Sequence, residues 1–118
     1  MEIDKVGTFQ DKGGYWESSP ELMRGSLLSI ETPAISKEQA SIAQAICENW
    51  ASNVESALQY IENARAEYKL EAKVFTNPNA FINSDKEWAI YFDTESEIEA
   101  VVGVEYRNDT PYQLVIGD

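Results

Sequence analysis

With 118 residues, 43% of them hydrophobic, the chain has enough apolar surface for one closed core and too little length for two, so residues 1–118 read as a single folded domain. Twenty-one acidic side chains against nine basic ones give a formal charge of -12, which disfavours nucleic acid and anionic membranes as partners and favours basic proteins, although such a charge also serves solubility alone. No apolar run reaches the roughly 18 residues of a membrane span, Met1 to Gln10 lacks the blocks of a signal peptide, and a lone Cys47 cannot close an internal disulfide; together these read as a cytoplasmic protein.

In chain order, Ile3 to Phe9 has weak β character, and Asp11-Lys12-Gly13-Gly14 is a turn. Tyr15-Trp16 begins a second short apolar stretch that Ser18-Ser19-Pro20 interrupts, and Ser26 to Glu31 reads as a strand stopped by Thr32-Pro33. Ser36 stands three residues before Gln39, the spacing of a capping box, so a helix starts there. Ala43, Ile46, Trp50, Val54, Ala57, Ile61, Ala64 and Tyr68 then recur at steps of three and four, one face of a helix carried to about residue 70. A straight helix of that length spans on the order of 50 Å, more than the diameter of about 35 Å of a domain this size, so it overhangs, bends or breaks. Asn49 and Asn53, poor helix formers near its midpoint, mark the place for a bend or break, with a continuous rod as the alternative.

After Asn77-Pro78-Asn79 the apolar period changes to two. Trp88, Ile90 and Phe92 form one strand face, and Ile98, Ala100, Val102, Val104 and Tyr106 another. A turn through Asn108-Asp109-Thr110-Pro111 leads to Tyr112, Leu114 and Ile116, so residues 87–117 read as a three-stranded antiparallel meander. Val74 to Ile82, broken by Pro78, reads as at most a short edge strand. Burying the helix face on the sheet face gives a two-layer α+β fold, in which the C-terminal meander and the N-terminal strands form an antiparallel sheet packed on a long or broken helix.

The chain contains no histidine, which removes the commonest general base and the partner in Ser-His and Cys-His nucleophile systems. Cys47, between Ile46 and Glu48, has no neighbouring cation in sequence to lower its pKa and reads as a packed structural thiol. The glycines fit neither a P-loop nor a dinucleotide fingerprint. Asp93 to Glu97 resembles the start of a calcium loop, but Ile98 stands where glycine is needed and Val104 where glutamate is needed. Pairs of acids could in principle serve glycoside hydrolysis, yet with 21 acids close pairs arise by chance. The expectation is a protein that is not an enzyme, with no cofactor and no metal.

What remains is surface. Glu48, Glu55 and Glu62 fall at steps of seven on the polar side of the helix, as an ordinary solvated face does. On the sheet, Ala89, Tyr91, Val101, Gly103 and Val115 stand opposite the core face, rimmed by Asp93, Glu99 and Glu105. An apolar centre with an acidic rim suits docking of a basic protein, unless the N-terminal strands cover it. The candidate contact residues are Tyr91, Asp93, Glu95, Glu97, Glu99, Val101 and Glu105, and reversing Asp93, Glu95 and Glu99 to lysine is expected to slow association.

Over residues 36–117 the order of elements, with Phe75-Thr76-Asn77-Pro78, Glu87 to Phe92 and Gly103-Val104-Glu105-Tyr106, resembles small bacterial immunity proteins of the contact-dependent growth inhibition and polymorphic toxin type. That resemblance implies a partner: a toxin domain, commonly a basic nuclease, whose active site or substrate groove is occluded by carboxylates standing in for phosphates. It transfers no contact residues. The alternative is a non-enzymatic adaptor or homo-oligomeric module, such as a homodimer, that uses the sheet face for self-association.

Overall fold

The computed structural model describes residues 1–117. The capping box forms in both directions: the Ser36 hydroxyl accepts from the Gln39 N–H and Gln39 Oε1 accepts from the Ser36 N–H, each at 3.0 Å. This opens α1, Lys37–Glu48. The Ser36 hydroxyl also donates to Asp85 at 2.8 Å, tying the helix start to a sheet turn. Ser36→Ala is expected to cost about 1 kcal/mol, read as a lower urea midpoint with an unchanged slope.

The long helical stretch is divided. α1 ends at Glu48, and α2 runs Trp50–Tyr68. Asn49 between them leaves helical geometry, with φ -115° and ψ 25°, and its side-chain amide donates to the Ala45 carbonyl at 3.0 Å. Of the two alternatives posed by length, the break is the one adopted, and the molecule measures 40 × 25 × 24 Å. The apolar stripe survives it: Ala43, Ile46, Trp50, Ala57 and Ile61 are buried, and Val54, Ala64 and Tyr68 pack half-buried on the same core. No helix among the described residues is long and apolar enough to cross a membrane.

A two-stranded hairpin of β1 (Glu2–Ile3) and β2 (Gly7–Thr8) precedes the main sheet. That sheet has seven strands: β3 (Gln10–Asp11), β4 (Trp16–Ser18), β5 (Leu28–Ile30), β6 (Phe75–Ile82), β7 (Glu87–Thr94), β8 (Val101–Arg107) and β9 (Thr110–Gly117), in that spatial order. All neighbours are antiparallel except β5 and β6, which the helices connect as a parallel crossover. The expected C-terminal meander is β7–β8–β9. The fold is α+β, with both helices packed on one face of a mostly antiparallel sheet.

Two sequence readings are corrected. The segment 74–82, expected as a short edge strand, contains the eight-residue β6, which lies between β5 and β7. Pro78, which has no N–H to give a ladder, sits in a register shift between Thr76 and Asn79, and Asn77 takes a left-handed φ of 51°. Ile98, expected on the core face, is 70% exposed because residues 95–100 form the β7–β8 loop, closed by the Thr94 N–H to the Ala100 carbonyl at 2.9 Å. The strand expected from Ile98 starts at Val101.

The core-facing rows follow the register: Ile30, Ile82, Trp88 and Tyr106 form one, and Leu28, Ala80, Ile90, Val104 and Leu114 the next. Trp88 and Tyr106 stack with centroids 4.0 Å apart. Ile3, Val6 and Phe9 join this same core, Met23 of a single 3₁₀ turn is buried in it, and Gln44 of α1 donates to the Asp4 carbonyl at 3.0 Å. The N-terminal segments therefore pack on the helical side or extend the sheet. The opposite face carries no second layer among the described residues.

Candidate partner-binding face

The outer face is laid out by the same ladder. One row reads Glu17, Ser29, Phe81, Ala89, Glu105 and Gln113; the next reads Asn79, Tyr91, Gly103 and Val115; a third pairs Asp93 with Val101. Tyr91 lies flat across β8, so close that a Cβ on Gly103 would sit 2.5 Å from two carbons of its ring. Glycine is required there by close approach, not by turn geometry. Burial pushes the Tyr91 hydroxyl above its usual pKa, and the charge of Glu105 adds to that shift. Ala89 is closed off by its neighbours, while Val115 stays 37% exposed.

Asp93 and Glu105 stand on either side of this apolar centre. Asp93 pairs with Val101 and Glu105 with Ala89, an offset of four residues along the strands, or about 13 Å. Each carboxylate is steadied by a carboxamide from the flanking strand: Asn77 donates to Asp93 at 3.1 Å, and Gln113 donates to Glu105. A third carboxylate, Glu87, accepts from the Tyr112 hydroxyl at 3.0 Å and from Arg107 at 3.2 Å, which together hold its pKa below the usual carboxylate range.

The other acids expected at the site are placed differently. Glu99 is not on the rim but turned inward, 9% exposed, where its carboxylate accepts from the Ala72 N–H at 2.7 Å and the Glu71 N–H at 3.0 Å. Glu95 caps the Val74 and Lys73 N–H groups at 3.1 and 3.0 Å, and those bonds lower its pKa. From the other side, Arg65 donates to the Leu70 and Ala72 carbonyls at 3.1 and 2.8 Å while held by Glu62 at 2.8 Å. These groups clasp residues 70–74, the connection from α2 into β6, so reversing Glu95 and Glu99 would test the fold rather than docking. Glu97 is exposed at the tip of the same loop.

The structure thus brings Tyr91, Val101, Asp93 and Glu105 onto one face, with Glu95, Glu97 and Glu99 in the adjoining loop. It adds Phe81 and Asn79, which sequence reading missed because Asn77-Pro78-Asn79 looks like the end of a strand; the signal available was the short apolar run Ala80-Phe81-Ile82, in which strand geometry sets Phe81 opposite its two neighbours. The free edge at β9 is partly occupied, since the Tyr68 hydroxyl accepts the Leu114 N–H at 3.2 Å.

Elsewhere, Cys47 is buried, and desolvation followed by the charge of Glu48 raises its pKa to about 11, the opposite of an activated thiolate. A cleft of about 730 Å³ between the 3₁₀ turn, α2 and β6 is lined by Arg24, Trp50, Val54 and Asp93; Asp93, at the margin of the sheet, borders this cleft as well as the outer face and is its only carboxylate among the described residues. A smaller concavity of about 420 Å³ at the helix break is lined by Ile42, Ile46, Trp88 and Asp109 among others. Neither brings two carboxylates together. Comparison with protein-family models, curated proteins and solved structures finds no match to this chain.

Proposed function

We propose that the chain is a non-enzymatic inhibitor, an immunity protein that docks on a cognate basic toxin domain through the outer face of its sheet and occludes the toxin's active site. The carrying observation is the uncovered face with Tyr91 between the carboxylates of Asp93 and Glu105, and Phe81 and Val115 on the flanking strands β6 and β9. Its physics is that of an interface: apolar area at the centre supplies affinity, and charged groups at the margin supply steering and register. The carboxylates act as phosphate substitutes opposite lysines and arginines that otherwise hold a polyanion. The absence of histidine, a thiol with a raised pKa and clefts without converging acids support binding rather than catalysis. A buried free Cys47 suits action in the cytoplasm.

Self-association through the same face is the second reading, favoured by the exposure of Val115. It brings rim carboxylates of two molecules, each of charge -12, toward one another, which opposes it. The test is co-expression with the product of the adjacent open reading frame. A salt-sensitive complex and relief of that product's toxicity are expected. A stable homodimer with no complex, or substrate turnover by the chain alone, overturns the proposal.

A further inference from the structure

One corner of the outer face shows how this surface holds a cation. The Arg107 guanidinium lies over the Tyr112 ring, 4.4 Å from its centroid, and donates to Glu87, which also accepts from the Tyr112 hydroxyl. The arrangement is a tyrosine face and a carboxylate around one planar cation. One and two rows along the sheet from it, Glu105 and Tyr91 repeat the acidic and aromatic parts, with Asp93 beyond the ring on the other side. None of the ion pairs among the described residues involves Tyr91's neighbours Asp93 or Glu105. One face of the Tyr91 ring rests on Gly103, and the other points away from the sheet, where no second layer lies.

We propose that Tyr91, seated on Gly103, and Glu105 together receive an arginine guanidinium from the protein partner, which deepens the docking reading above and rests on it. A guanidinium suits these groups better than an ammonium. It is planar and weakly hydrated, so it stacks on a ring with little desolvation, and its fork of N–H donors reaches a carboxylate in the same plane. The Gln113 amide, already bonded to Glu105, leaves the second carboxylate oxygen for the incoming donor. Gly103 keeps the ring flat; any side chain there lifts it.

The test uses the full chain with acetylated hexa-arginine and hexa-lysine peptides as probes of equal charge, at low ionic strength, by calorimetry and amide NMR. Hexa-arginine is expected to bind about 3- to 30-fold more tightly, the range that a cation on an aromatic face supplies. It is also expected to shift the Gly103 and Glu105 resonances. The contrast survives Tyr91→Phe, which keeps the ring, and is lost in Tyr91→Leu. Glu105→Gln, which leaves the core untouched, narrows it and serves if Tyr91→Leu does not fold. Equal affinities for the two peptides, or a contrast unchanged in these variants, overturn the guanidinium seat while the acidic docking face stands on charge alone. Failure of both peptides to bind overturns both.

Discussion

Replacing Glu99 with alanine lowers the stability of the fold by about 3 kcal/mol, because two backbone N–H groups, one fully buried, lose a charged acceptor. That is a large fraction of what a domain of this size has to lose, about 5–15 kcal/mol. Glu97→Ala, two residues away and exposed, changes stability by less than about 0.5 kcal/mol. Urea unfolding of the two variants beside the parent checks this directly. Equal midpoints would mean that residues 70–74 are held by something other than the carboxylate clasp. The neighbouring Glu95 adds a pH dependence of known sign. Its pKa is lowered in the folded state by the Val74 and Lys73 N–H groups, so its contribution is full above the ordinary glutamate range. That contribution is lost as pH falls through the depressed folded value. Glu95→Gln is therefore expected to flatten the acid limb of the stability profile and leave the neutral region parallel to the parent.

The double variant Asp93→Lys, Glu105→Lys is expected to slow association with a basic partner domain by about 10- to 100-fold at low ionic strength, with a smaller change in dissociation. Both side chains border the outer face, and each has a single carboxamide hydrogen bond among the described residues, so the fold itself loses little. Stopped-flow mixing across a salt series separates the effects: the parent's rate falls steeply with salt, and the variant's far less. A rate unchanged by the substitutions removes these two acids from the interface. Glu95 and Glu99 are excluded from this experiment because their reversal would unfold the connection into β6.

Those two acids show where sequence reading reaches its limit. Alternation along a strand tells which side of it is apolar, and Trp88, Ile90, Phe92, Val102 and Val104 were legible that way. The direction of a loop carboxylate has no period. It is decided by which N–H groups elsewhere in the chain lack a partner, here Glu71 and Ala72, and those lie 28 and 27 residues away. The outer face was legible for Tyr91, Val101, Gly103, Asp93 and Glu105, yet its openness was not, because the same N-terminal strands could have lain across it.

The sequence by itself determined the apolar stripe from Ala43 to Tyr68, the capping box at Ser36, the meander from Glu87 to Gly117 and the acidic balance of the surface. Each of these depends on residues close in the chain or on composition, where local sterics, capping and periodicity act alone. Tertiary structure decided the break at Asn49, the central place of β6 beside β5, the inward turn of Glu99 and the uncovered sheet face. The reason is that strand order and burial are set by contacts distant in sequence: a strand finds its neighbour, and a carboxylate its donors, only when the whole core has closed.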